Sequence, residues 1–143
     1  MFNTLTDILL TPDSPMKRTP VHTARAPAAI GAYSQAIVAG DFCYVSGQIP
    51  LDPETGKLVD GDIRLQIGQV FANLAAVARA GGCDLGRDAV KITVFLTDLS
   101  HFGLVNEVMS EMFAKPFPAR AAIEVAGLPL GAQVEADAVL LVP

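Results

Sequence analysis

Apolar side chains recur at steps of three and four over residues 62–80: Ile63, Ile67, Val70, Phe71, Leu74, Val77 and Ala78. That spacing lines one face of a helix. Asp60 or Asp62 stands where a carboxylate would accept from a first-turn N–H, and Gly81-Gly82 ends the run. A second stripe, Leu104, Val105, Val108, Met109, Met112 and Phe113, predicts a helix over about 100–114, with Ser100 or Asp98 as its cap.

Between these helices the period falls to two. Over residues 89–97, Val90, Ile92, Val94 and Leu96 alternate with Lys91, Thr93, Phe95 and Thr97, which predicts a strand with one more polar side. Residues 35–49 predict two strands joined by a two-residue turn at Gly40-Asp41, and Asp52-Pro53-Glu54-Thr55-Gly56 carries proline and glycine where a surface turn wants them. Two further strands fall at about 120–126 and 132–141, linked by a turn at Pro129-Leu130-Gly131. The order is β-β-α-β-α-β-β, with an additional short strand expected near 21–25. It predicts an α+β domain with two helices packed on one face of a mixed sheet.

The sheet's other face is too apolar to meet water, and composition sharpens that point. Apolar residues make up 51% of the 143, and charged residues only 17%. Mean hydropathy is +0.41. A chain this small and apolar is expected to cover surface in an oligomer. Residues 1–20, with Pro12, Pro15 and Pro20, read as a flexible arm and 21–143 as the single domain. Ile8, Leu9 and Leu10 of the arm are apolar enough to pack on a neighbour, and Met16 is an alternative start.

The formal charge of −5 offers nucleic acid no basic footprint. No apolar stretch approaches the length of a membrane span, and the first residues lack a signal peptide's basic region, so a cytoplasmic protein is expected. Cys43 and Cys83 read as buried thiols, and His22 and His101 stand apart from any ligand spacing, so neither a metal nor a cofactor is expected.

One basic residue stands out. Arg120 follows Pro116-Phe117-Pro118-Ala119 and opens an apolar strand. There a guanidinium must find a partner or lose its hydration at a cost of several kcal/mol. Glu124, four residues on and on the same strand face, is one candidate partner, and a ligand carboxylate is the other. Ser46-Gly47 inside a strand marks a close backbone approach. Taken alone, Glu135 reads as a solvated carboxylate, Tyr33 as loop packing and Asn106 as a mid-helix residue of mediocre propensity.

Longer stretches change that balance. Ala26-Pro27-Ala28-Ala29-Ile30-Gly31-Ala32-Tyr33-Ser34-Gln35, Val45-Ser46-Gly47-Gln48-Ile49-Pro50, Asp52-Pro53-Glu54-Thr55-Gly56, Val105-Asn106-Glu107-Val108, Pro118-Ala119-Arg120 and Leu128-Pro129 with Val134-Glu135 follow one another in a familiar order. Across residues 25–142 the chain resembles the RidA (YjgF/YER057c/UK114) family of reactive-intermediate deaminases. The resemblance implies a chorismate-mutase-like fold and a homotrimer whose sheets line a central barrel, with clefts between subunits. It also implies hydrolysis of enamines and imines such as 2-aminoacrylate and 2-aminocrotonate to 2-oxo acids and ammonia.

On the same ground Arg120 is expected to bind the substrate carboxylate, Glu135 to position water, and Tyr33, Ser46, Gly47 and Asn106 to line the cleft. The chain departs from the family at Ala32, usually proline, at Met109, commonly tyrosine, and at Ala121 and Ala122, where many members carry polar residues. The alanines leave open a different enamine-like substrate. A non-catalytic trimer that binds small carboxylates is the alternative of another class. RNA cleavage has been attributed to relatives, but this chain's charge predicts weak, salt-sensitive binding of RNA at best.

Overall fold

The computed structural model describes residues 17–143, so the expectations for Ile8, Leu9, Leu10 and a start at Met16 lie outside the described residues. The described chain runs β1 (Arg18–Val21), β2 (Ala36–Ala39), β3 (Phe42–Gln48), α1 (Ile63–Ala80), a one-turn α2 (Leu85–Asp88), β4 (Ala89–Leu96), α3 (Phe102–Met112), β5 (Ala119–Glu124) and β6 (Val134–Leu141). Among the described residues, six strands form one sheet in the order β1-β2-β3-β6-β4-β5. The β4–β5 pair is parallel and every other pair antiparallel, so the sheet is mixed as the element order implied.

Helix α1 forms because its apolar stripe faces β3 and β6: Ile67, Val70, Phe71, Leu74, Val77 and Ala78 are all buried. Of the two aspartates, Asp62 is the cap, accepting from Leu65 N at 3.0 Å. Gly81 N donates back to Val77 O and Ala78 O, and Gly82 takes φ +84°, which a side chain would resist. In α3, Val105, Val108 and Met109 are buried, and Phe113, one residue past the helix, meets Phe71 edge-on. Asp98 rather than Ser100 caps the 3₁₀ turn that leads into α3, accepting from Ser100 N at 2.9 Å.

Three elements differ from the sequence reading. The early strand is Arg18–Val21 rather than 21–25, so the last residues expected in the arm pair with β2. Pro20 is tolerated because β1 is an edge strand, which can spare a ladder donor. Val90 does not share the buried face of Ile92, Val94 and Leu96, because a register shift between Ala89 and Lys91 places it outside. The turn Leu85–Asp88 is too short for a periodicity to announce it.

Helices α1 and α3 lie on one face of the sheet, over a core that includes Cys43, Val45, Ile92, Val94, Leu96, Val134, Ala136 and Leu140. Burial, with Cys83 beside it, pushes the Cys43 thiol up to about 11, which keeps it from acting as a nucleophile near neutral pH. The opposite face is open in this chain: Tyr44 (48%), Ile123 (45%) and Leu141 (47%) remain exposed there. No helix among the described residues is long and apolar enough to cross a membrane.

Candidate functional site

Residues expected to share one cleft fall into two groups. Tyr33, Ser46, Gly47 and Glu135 line a cavity of about 810 Å³ together with Pro27, Ile30, Ile49, Leu51 and Leu130. Asn106 and Arg120 line a second, of about 510 Å³, with Met109, Phe117 and Pro118. Strand register explains the separation. Arg120 pairs with Ile92, whose side chain is buried beneath the helices, whereas Glu135 pairs with Phe95 on the opposite parity of β4. Residues in register share a sheet face, so Arg120 and Glu135 point to opposite sides.

Close backbone packing builds the Glu135 side. Between Val45 and Gln48 the β3–β6 register shifts, so Ser46 and Gly47 stand against one residue of β6. A Cβ at residue 47 would lie 2.5 Å from Glu135 Oε1 and 3.0 Å from its Cδ. Glycine is therefore what lets the carboxylate rest against this strand. Ser46 Oγ donates to Ser34 O at 2.6 Å and Ser46 N to Gln35 O at 2.9 Å, holding the Tyr33 loop beside the bulge. Burial, and secondarily the charge of Asp137, raises the Glu135 carboxyl above its ordinary value. A carboxyl so tuned can exchange a proton nearer neutrality.

Two buried amides that the sequence did not single out fix this cavity's walls. Gln35 accepts from Thr23 N at 2.7 Å and donates to Thr23 O at 3.0 Å and Pro27 O at 2.8 Å, closing the loop that carries Pro27. Asn73 of α1 donates to Ile49 O at 3.2 Å and Leu51 O at 2.9 Å and accepts from Gln69. A polar residue within a buried helical face was the available signal for Asn73.

The Arg120 side is built from side chains. Glu124 is not the arginine's partner, because its carboxylate accepts from Leu99 N at 3.0 Å. Arg120 Nη1 instead donates to Asn106 Oδ1 at 2.5 Å and approaches Met109 Sδ at 3.6 Å, and the guanidinium carbon lies 4.9 Å from the centre of the Phe102 ring. No carboxylate among the described residues forms a salt bridge with it. Ala122 packs against the core and Ala121 opposes Thr93, and neither lines the two cavities.

Residues 23–142 match the family model described as Endoribonuclease L-PSP. The human 2-iminobutanoate/2-iminopropanoate deaminase is 43% identical over 128 residues, covering 90% of this chain and 93% of its own. The crystal structure of RidA from an Antarctic Psychrobacter superposes with a TM-score of 0.82 at 47% identity, over 87% of this chain and 99% of that one. E. coli TdcF with bound serine superposes at 0.81 with 36% identity, over 86% of this chain and 98% of that one.

Proposed function

The chain belongs to the RidA (YjgF) family, and on that premise we propose that it is a hydrolytic deaminase of small 2-imino and 2-enamino acids whose cleft forms between copies of this chain. Its substrates are 2-aminoacrylate, 2-aminocrotonate and their imine tautomers, and its products are 2-oxo acids and ammonia. The observation that carries the shared cleft is the separation of Arg120 from Glu135 on opposite sheet faces. A carboxylate anchor on one side and a tuned carboxyl on the other become one site when a neighbouring copy apposes them. The uncovered apolar sheet face gives such a neighbour its seat, and a homotrimer closed around a barrel of sheets satisfies three such clefts at once.

In this reading the Arg120 guanidinium forks the substrate carboxylate through two charge-assisted bonds. Glu135 accepts a proton from water as the water oxygen attacks C2 of the imine. The carbinolamine nitrogen then takes a proton, the C2–N bond breaks, and ammonia leaves as C2 becomes a carbonyl. Tyr33, which lines the Glu135 cavity, supplies a directional hydroxyl, and the Ser46–Gly47 bulge holds the carboxylate's seat. No covalent intermediate is needed, since the imine carbon is already electrophilic. Serine bound in the E. coli relative, itself a small amino acid, supports a carboxylate ligand of this size. The family description's ribonuclease finds less support, with 10 basic against 15 acidic side chains available to meet phosphates.

The test is coupled turnover. A pyridoxal-phosphate dehydratase generates 2-aminoacrylate or 2-aminocrotonate, and 2-oxo acid release is followed with wild type, Arg120→Ala and Glu135→Gln. Acceleration by wild type and a loss of about 100-fold or more in each variant are expected. No acceleration by wild type overturns the deaminase reading. A fully active Glu135→Gln overturns only the water-positioning role.

A further inference from the structure

Helix α3 presents two stripes, and the sequence pattern announced only one. Besides the buried stripe of Val105, Val108 and Met109, the residues Phe102, Asn106 and Met109 follow at steps of four and three and so stack along one edge of the helix. All three meet the same group. Asn106 Oδ1 and Met109 Sδ take the Nη1 end of Arg120, while the Phe102 ring lies 4.9 Å from the guanidinium carbon. Nε and Nη2 have no acceptor among the described residues.

We propose, resting on the carboxylate role given to Arg120 above, that Phe102 is a positioning residue that fixes the plane of the guanidinium for substrate capture. A hydrogen bond at one nitrogen leaves the planar group free to swing about that contact. An aromatic face against it removes the swing, because stacking favours one orientation of the plane. The edge carrying Nε and Nη2 is then presented as a fork whose two donors match a planar carboxylate. Arg120 stands on an edge strand, where no second strand constrains its outer side. The restraint therefore has to come from the helix. Phe102 is about one-third exposed (37%), more than core packing alone would leave it.

The experiment measures 2-oxobutanoate binding to the assembled protein by calorimetry, in wild type, Phe102→Leu, Phe102→Tyr, Arg120→Lys and Arg120→Lys with Phe102→Leu. Phe102→Leu is expected to weaken binding by about 2- to 5-fold. Phe102→Tyr restores it, and the thermal midpoint of both stays close to that of wild type. In the Arg120→Lys background, where the charge remains but the plane is gone, Phe102→Leu is expected to change nothing further. In coupled turnover the Phe102→Leu loss appears in KM more than in kcat.

Equal weakening in both backgrounds overturns the proposal, because Phe102 then acts otherwise than through the arginine's plane. Unchanged binding in Phe102→Leu, with Arg120→Lys weakened, overturns it while leaving the carboxylate role intact. Full binding by Arg120→Lys overturns the fork itself, and with it both this proposal and the role given to Arg120.

Discussion

The two halves of the proposed site are built by different means. Around Glu135 the backbone does the positioning: a bulge at Ser46–Gly47 brings β3 against the carboxylate, and Gln35 and Asn73 lock the adjoining loops from within. Around Arg120 an exposed edge strand offers little backbone restraint, and one edge of α3 holds the guanidinium through side chains. The difference teaches where each half is vulnerable. The first fails when atoms are added or buried bonds are cut, and the second when contacts are trimmed.

The contrast can be broken most severely by mixing subunits. Arg120→Ala and Glu135→Gln proteins, each expected to be impaired at least about 100-fold, are unfolded together in equal amounts, refolded and assayed. If each cleft takes its arginine from one copy and its carboxylate from the next, random assembly leaves about a quarter of the clefts intact, and about a quarter of wild-type turnover returns. A site contained within one chain would regain none, which is the outcome that would sink the shared cleft.

A smaller effect is expected from Gly47→Ala. The added methyl meets the mobile end of Glu135 rather than backbone, so the carboxylate shifts while the fold tolerates the change. Turnover is expected to fall by about 10- to 100-fold, as for misplacements near 1 Å, with little change in melting temperature. Turnover equal to wild type would show that the carboxylate's seat against β3 is unimportant.

Stability separates the halves next. Gln35→Leu removes the partner of the half-buried Thr23 N–H and of the Thr23 and Pro27 carbonyls, at a cost of about 1–3 kcal/mol by denaturant unfolding. Asn106→Ala, whose partner is reachable by water, is expected to cost less than Gln35→Leu in the same measurement. The reverse order would contradict the contrast.

The mildest test is pH. Burial first and Asp137 second raise Glu135, so the acid limb of kcat/KM is expected above the ordinary carboxylate range, and Asp137→Asn should move it to lower pH. The stability sign follows from the same shift. A carboxyl raised in the folded state binds protons more tightly there than when unfolded, so its contribution is full below the ordinary value and is lost as pH rises through the raised one. Glu135→Gln should therefore melt above wild type at neutral pH, with the gap closing in acid. An acid limb unmoved by Asp137→Asn would remove the carboxylate pair from the explanation.

Much of this was legible locally. The stripe from Ile67 to Ala78 buries as its spacing predicts, the Gly40-Asp41 turn joins β2 and β3, and Gly47 proves to be a close approach. Val90, the one-turn α2 and the true start of β1 were not legible, because a bulge, a single turn and an edge pairing leave no period in the chain. Phe102 went unnoticed because its stripe borders the stronger apolar one.

The sequence by itself determined the two long helices and the main strands and, through motif resemblance, which side chains to propose for the site, since periodicity, turn residues and short motifs are local. Only the tertiary structure decided that β6 lies between β3 and β4, that β5 runs parallel at the edge, and hence that Arg120 and Glu135 face opposite ways. The reason is physical: the face a strand residue occupies depends on register with a partner far along the chain, and a shift of one residue inverts it.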